Sequence, residues 1–391
     1  MDERVAIAGV GSLRPGRYAG RAEVELAVEV VVAALEDAGL GKDRVQGLFT
    51  TPDLRGSAGL QLNLLCERLR IRPRVAAETS CGAIAAGLTV RAARNEILLG
   101  AIDVAVCYGA EREASTGWFR HVGTAEGPPL FEPTALAPYG SPGTLWAYAL
   151  SARRYMHETG ATERDFALAA VRDRRNAVGS SHAALTRPIT VDDVLGSPPL
   201  CTPLKLLDAP VSLDGAAAVV LVSERVARTL DVRPVWLTGL GEYHDDSSFV
   251  PTDGTDKPIA GFVSTTRATA EALEQAGIGL DDVDVAEIYA PFSSHELIIP
   301  EDMGFFGRGG MVEALATGAT EIAGRIPINT DGGLLARGHP WAVTPFYETI
   351  TIVRQIRGVM GASQVEGART GLVHTEAGML NDALVLILQG D

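Results

Sequence analysis

Basic residues are scarce: 34 Lys and Arg stand against 49 Asp and Glu, a formal net charge of −15 at pH 7. Binding to nucleic acid depends on clustered cations that neutralise phosphates, and no stripe of that kind is present. An acidic surface is also repelled by anionic membranes. Long apolar runs are missing as well, and none approaches the roughly 20 residues that cross a bilayer. The start, Met1-Asp2-Glu3-Arg4, runs straight into a strand-like segment without a charged-then-apolar leader. The four cysteines (Cys66, Cys81, Cys107, Cys201) are scattered and form no Cys-X-X-Cys pair, so neither a zinc ribbon nor a redox dithiol is legible. These absences predict a reduced, cytoplasmic protein with free thiols, no membrane span, no nucleic-acid partner and no metal.

Aromatic residues are few, at 6%, whereas Gly alone numbers 43 of 391 residues, which suits helices packed closely on sheets. Two stretches repeat. Ala34-Leu-Glu-Asp-Ala-Gly-Leu-Gly-Lys-Asp-Arg-Val45 matches Ala272-Leu-Glu-Gln-Ala-Gly-Ile-Gly-Leu-Asp-Asp-Val283 almost position by position. Each reads as the end of an amphipathic helix, a Gly stop and a turn into a buried strand. Upstream, Val5-Ala-Ile-Ala-Gly-Val-Gly11 is echoed by Val235-Trp-Leu-Thr-Gly-Leu-Gly241. Downstream, Thr79-Ser80-Cys81-Gly82 is echoed by Asn329-Thr330-Asp331-Gly332-Gly333. Three echoes in one order predict a duplicated α/β unit, with halves at about 1–230 and 231–391. Apolar runs at 104–108, 218–222 and 384–388 read as buried strands in a mostly parallel sheet in each half. Residues of about 112–205 break the pattern, rich in Gly and Pro with a helix near 144–158, and read as a loop subdomain.

Cys81 follows a strand-like segment and precedes a helix of small residues. A thiol at such a turn has backbone dipoles that favour thiolate, and the same N–H groups can hold an oxyanion. A buried structural cysteine is the ordinary alternative, and Cys66, Cys107 and Cys201 take it. The second candidate is His339 in Gly332-Gly333-Leu-Leu-Ala-Arg-Gly338-His339-Pro340, where Gly338 allows close approach of the backbone to a ligand and Pro340 restricts the imidazole. His374 is placed in a tight connection between two apolar runs, and Tyr289 at the end of the strand beginning near Val283. The alternatives are a solvated loop histidine and a core aromatic. Crevices of duplicated open sheets lie at the carboxyl ends of strands, where all four candidates are expected.

These motifs resemble the thiolase superfamily, in particular the sterol carrier protein-type thiolases and the thiolase-like lipid-transfer proteins. The resemblance covers the whole chain. It implies a duplicated five-layer α/β/α/β/α thiolase fold with a loop subdomain inserted in the first half. Cys81 matches the acylated cysteine, and Gly332-Gly333 with Gly338-His339-Pro340 matches the element whose histidine activates it. Ile288-Tyr289-Ala290-Pro291-Phe292 falls where thiolases carry Asn-Glu-Ala-Phe or His-Asp-Cys-Phe, and His374 where many carry a second cysteine. This chain departs from the family in having Pro291 and His374 at both places that could supply that cysteine, and Trp341-Ala-Val-Thr-Pro345 in place of a Gly-Ala-Thr-Gly run.

The resemblance implies an acyltransferase that makes or breaks a carbon–carbon bond in an acyl-CoA through a Cys81 thioester. His339 and His374 then stabilise the enolate, and backbone N–H groups at Cys81 and near Gly378 hold the oxyanion. That chemistry requires the sulfur of residue 81 and the imidazole of 339 to share one crevice. One alternative is a retro-aldolase of the subgroup that trims steroid side chains together with a small zinc-ribbon and OB-fold protein. Those enzymes use tyrosines as acid and base, and Tyr289 falls on one such position. They resemble this chain at 152–166 and 325–330 but lack the cysteine and the Gly-His-Pro. A non-catalytic acyl-CoA or lipid carrier is the other alternative. The family further implies a homodimer, coenzyme A as part of the substrate and no permanently bound cofactor. Arginine-rich stretches at 68–74 and 172–175 are candidates for its phosphates, or simply solvated helix faces.

Overall fold

The computed structural model describes residues 3–52, 60–116, 144–245, 258–377 and 381–391. The first half builds strands β1 (Val5–Ser12), β2 (Gly47–Thr50), β3 (Val75–Glu78) and β4 (Val104–Arg112), a small hairpin of β5 (Pro199–Cys201) and β6 (Leu204–Lys205), and β7 (Asp214–Ser223). The second half contributes β8 (Val235–His244), β9 (Val285–Ile288), β10 (Thr370–Ala377) and β11 (Asp382–Gln389). Their order is β3-β2-β4-β7-β1-β8-β11-β10-β9, and Ile328 adds a parallel bridge to Ala286 beyond β9. From the centre outward, each half therefore repeats one order: β1, β7, β4, β2, β3 on one side and β8, β11, β10, β9, Ile328 on the other. Two residue pairs, Ala6 with Trp236 and Ile7 with Val235, join the halves into one continuous sheet.

Helix α1 (Glu23–Asp37) covers the first sheet on its outer face, and α6 (Val263–Ala276) does the same for the second. Between the sheets lie α3 (Ala85–Leu98) and α8 (Thr344–Arg357), the latter buried at nearly every position. This makes the five layers. The glycines echoed in the sequence explain the close fit. A Cβ at Gly9 would lie 2.1 Å from the carbonyl oxygen of Ala34, and one at Gly11 2.3 Å from that of Val30. At Gly239 and Gly241 the corresponding distances are 2.1 Å to Ala272 and 2.0 Å to Ala268. Both outer helices stop the same way. Gly39 (φ +65°) and Gly277 (φ +68°) turn left-handed, and the next N–H closes on Leu35 at 2.9 Å and on Leu273 at 3.2 Å.

Two expectations need correction. The sheet in each half is mixed rather than mostly parallel: β2 runs parallel to β3 and β4, and β9 to β10, but β7 and β11 are antiparallel to their neighbours. β10 and β11 pair antiparallel from Thr370 opposite Gln389 to Ala377 opposite Asp382. For the same reason His374 is not in a connection. It lies inside β10, opposite Val385 and fully buried.

The inserted segment supplies α4 (Thr144–Thr159) and α5 (Glu163–Ala177), the first matching the helix expected near 144–158. Cys66 lies on helix α2 (Gln61–Leu69), Cys107 in β4 and Cys201 in β5. No helix among the described residues is long and apolar enough to cross a membrane.

Replacing Gly9 or Gly239 by Ala pushes a methyl into a helix carbonyl, and each is expected to lower stability by about 1–3 kcal/mol. Gly307, which has open space around it, serves as the control and should change by less than about 0.5 kcal/mol. Urea unfolding midpoints measure both, and equal midpoints for all three variants would contradict the packing argument.

Candidate active site

The segment between the Ile328 bridge and α8 is held by a buried arginine. Arg337 caps a short helix, α7 (Gly333–Ala336), and has no solvent contact. Its guanidinium meets both oxygens of Asp331 at 3.2 and 3.0 Å, Glu348 of α8 at 3.4 Å and Glu287 of β9 at 3.6 Å. Asp331 also accepts from Gly333 N–H and Thr351 Oγ1, and Glu287 accepts from Thr330 N–H and Oγ1. Burial pushes Glu348 up to about 8 and Glu287 well above the usual carboxylate range.

This cage fixes two chain segments that meet. Beyond β9, Tyr289 N–H donates to His374 C=O at 3.1 Å, so the tyrosine leaves the sheet at a set angle. Asn329, left-handed at φ +51°, accepts from Ile288 N–H at 2.8 Å and donates to Glu296. On the other segment, His339 N–H donates to Val211 C=O at 2.8 Å and its carbonyl accepts from Leu213 at 3.3 Å. A Cβ on Gly338 would lie 2.5 Å from Leu213 Cδ1, so this glycine serves the packing of the loop.

Tyr289 and His339 are thereby brought together. The phenol oxygen lies 3.2 Å from Nε2, and Nδ1 lies 2.9 Å from Thr344 Oγ1. Both rings are buried, edge to face with centroids 5.4 Å apart. Burial, then the Glu376 and Glu348 charges, hold the Tyr289 hydroxyl well above its ordinary range. Burial and the Arg337 charge pull His339 down to about 3. The pair is therefore phenol and neutral imidazole. The single N–H of the neutral ring donates to one of the Tyr289 and Thr344 hydroxyls, and the other ring nitrogen accepts from the second. Trp341 has its ring 6.0 Å from the imidazole and a left-handed backbone at φ +44°. A bulky residue in that conformation carries strain of about 1–3 kcal/mol, typical of sites whose shape is functional.

Around this pair lie groups that sequence reasoning did not single out. Tyr148 of α4 donates to Glu376 at 3.0 Å, its ring 5.1 Å from Phe292 and 4.7 Å from His295. Glu376 follows His374 by two residues and so shares its face of β10, a periodicity that was available in the sequence. His374 Nε2 lies 3.1 Å from Thr265 Oγ1, while Nδ1 is buried without a hydrogen-bond partner among the described residues. Burial lowers both His374 and His295 to about 3.

Cys81 is elsewhere. Its sulfur is half-buried and lies 4.0 Å from Asp382 Oδ2, the one hydrogen-bond partner it has among the described residues, whereas both nitrogens of His339 are taken by Tyr289 and Thr344. Burial, Asp382 and Glu242 push the thiol up. The turn itself stays near the first centre, because Ala83 packs against Tyr289 and Leu334. Gly378 lies outside the described residues. Arg172 is neither a phosphate contact nor a solvated residue. It is fully buried and paired with Asp173 at 2.8 Å and with Glu296. Arg70 and Arg72 line a surface cleft of about 780 Å³ with Lys42, Asp43 and Glu67.

A duplicated five-layer fold with a polar centre at its strand ends defines an enzyme of the thiolase class. Residues 253–390 match the family model described as "Thiolase C-terminal domain-like". The chain is 32% identical over 99% of its length to the whole of the "17-hydroxy-3-oxo-4-pregnene-20-carboxyl-CoA lyase" of Mycobacterium tuberculosis. It is 28% identical to an "Acetyl-CoA acetyltransferase" of Methanothermobacter thermautotrophicus, over 98% of both chains. Among solved structures, the "Ltp2-ChsH2(DUF35) aldolase" matches with a TM-score of 0.86 and 30% identity, over 99% of this chain and 98% of that one. The chain belongs to the thiolase superfamily. The expected enzymatic class, carbon–carbon bond chemistry of the acyl-transferring or lyase kind, stands with it.

Two expectations follow from the buried groups. Arg337→Met leaves Asp331 and its neighbours without their cation, and stability should fall by about 3–5 kcal/mol in urea unfolding. An unchanged midpoint would show that the cage is dispensable. The buried histidines make stability depend on acid: between their ordinary value of 6.5 and about 3 the unfolded chain binds protons that the folded chain refuses. Each therefore lowers stability as pH falls below 6.5, by up to about 1.4 kcal/mol per pH unit. His374→Gln should remove one such contribution from the difference between urea titrations at pH 6.5 and pH 5, and an identical difference in both proteins would refute it.

Proposed function

We propose that this protein cleaves a carbon–carbon bond in a β-hydroxyacyl-CoA by retro-aldol chemistry, with Tyr289 and His339 moving the proton. The observation that carries this is the Tyr289–His339–Thr344 chain, at 3.2 and 2.9 Å, in a buried site. Tyr289 passes its proton to Nε2 as its oxygen takes the proton of the substrate's β-hydroxyl. The β-carbon becomes a carbonyl, the Cα–Cβ bond breaks, and its electron pair enters the thioester as an enolate. The proton then returns from imidazolium through Tyr289 to Cα, giving a ketone or aldehyde and a shortened acyl-CoA. No oxidant is required. Arg337 disfavours a lasting imidazolium, which suits a relay that must hand the proton on.

The lyase relative supports a substrate with a bulky, steroid-type group beyond the bond that breaks. Coenzyme A is then part of the substrate and no cofactor is permanently bound. The Ltp2-ChsH2(DUF35) aldolase combines Ltp2 with a DUF35 protein, which supports a small partner protein here. Family resemblance supports a homodimer, and we place the reaction in the cytoplasm.

A second reading, Claisen or retro-Claisen transfer through a Cys81 thioester, is favoured by the half-exposed thiol at the turn before α3 and by the neighbouring Ala83–Tyr289 contact. The two differ in what turnover leaves behind. Tyr289→Phe should lower kcat/KM on β-hydroxyacyl-CoAs by about 10²–10⁴, with no acyl adduct on Cys81 in mass spectra taken during turnover. An adduct that forms and decays at the turnover rate would overturn the retro-aldol route and establish the covalent one.

A further inference from the structure

We propose that Cys81, His244 and Asp382 form a binding site for a zinc-type divalent cation, built from side chains outside the Tyr289–His339–Thr344 hydrogen-bond chain. A ligand atom from each lies within 4.8 Å of the other two. Ligands around a tetrahedral zinc, at about 2.0–2.3 Å from the metal, stand roughly 3.3–3.8 Å from one another. Closing to that spacing asks for side-chain shifts of about an ångström.

The framework is rigid where it matters. His244 and Asp382 face each other in register across β8 and β11, and Glu242 pairs with Leu384 two residues along. Cys81 comes from the other half of the chain, so the cation would tie the two halves together. His244 is also oriented as a ligand would be. Its Nδ1 lies 2.9 Å from Asp382 Oδ1, and its Nε2 lies 2.6 Å from Glu242 Oε1, a carboxylate itself paired with Arg91. Metal-bound histidines usually hold the second nitrogen on a carboxylate in this manner, which sets the tautomer and the ring angle. A cation binding at Nδ1 would replace the proton shared with Asp382 and leave Glu242 in place.

Charge and softness point the same way. A thiolate and a carboxylate around a neutral imidazole balance a divalent cation, and the mixed sulfur, nitrogen and oxygen set selects zinc over magnesium or calcium. Three protein ligands leave a fourth position for water or an oxygen donor, and His244 is about half exposed, at 48% of its side chain. The competing account is an ion-paired His244 between two carboxylates, with Cys81 beside them hydrogen-bonded to Asp382 and holding no metal.

Cobalt(II) separates the two accounts. The full-length protein, treated with chelator and dialysed, is titrated with cobalt chloride and followed by absorption. One equivalent should produce the visible bands of tetrahedral cobalt and a near-ultraviolet thiolate-to-metal band, both lost on adding zinc. Cys81→Ser should abolish the thiolate band, and His244→Gln and Asp382→Asn should each weaken binding by about 10–100-fold. Cys66→Ser should bind as the parent does, and so should Tyr289→Phe, so failure of the retro-aldol reading would leave this site untouched. Absence of a saturable thiolate band, or one that survives Cys81→Ser, would overturn the proposal.

Discussion

One buried guanidinium organises the second half of this protein. Arg337 is enclosed with Asp331, Glu287 and Glu348, drawn from its own loop, from β9 and from α8. A charge without water must be met by opposite charge, because leaving it unpaired is among the costliest defects a core can hold. Its three carboxylates belong to three different segments, so satisfying it fixes those segments relative to one another. Two of them end in Tyr289 and Thr344, and Arg337 itself is two residues from His339. The geometry of the acid–base pair is thus a by-product of ion pairing behind it.

That arrangement also determines the protonation states. Low-dielectric surroundings favour neutral forms, and here they hold a phenol and an imidazole uncharged beside a fixed cation and nearby carboxylates. The centre stores neither an ion pair nor a thiolate. It holds a proton between two groups that can exchange it, with Thr344 on the second ring nitrogen. Around Cys81 the balance is opposite: Asp382 and Glu242 bring negative charge to the sulfur. A cation would be stabilised there, and an additional anion would not. A short turn, with Ala83 against Tyr289, joins the two regions.

Duplication makes this division intelligible. Each half repeats its strand order and its pair of glycines under an outer helix, and backbone contact to within about 2 Å of a missing Cβ leaves no room for drift. Beyond the sheets the halves part company. Where the first half turns from β3 through Thr79-Ser80-Cys81 into α3, the second turns from Ile328 through Asn329-Thr330-Asp331 into the arginine cage. The common framework persists while its loops take on separate chemistry.

Sequence alone determined the features that recur locally: the duplicated unit, the Gly stops at 39 and 277, the helix near 144–158, and the motifs around Cys81, Tyr289 and His339. Such signals reside in neighbouring residues, whose spacing fixes period and turn without reference to the rest of the chain. Strand direction is not of that kind, since antiparallel neighbours such as β10 and β11 and parallel ones such as β2 and β4 arise from similar apolar runs. His374 reads as a loop residue because a histidine between apolar segments looks solvated, until Thr265, 109 residues away, supplies its partner. Arg337 stands in the Gly-His-Pro motif without announcing its role, because an arginine is ordinarily at the surface and only three distant carboxylates make it a core residue. Tertiary structure alone decided which side chains meet, pairing His339 with Tyr289 and turning Cys81 towards Asp382. Hydrogen bonds and ion pairs are made across space between groups whose separation along the chain carries no information about their distance.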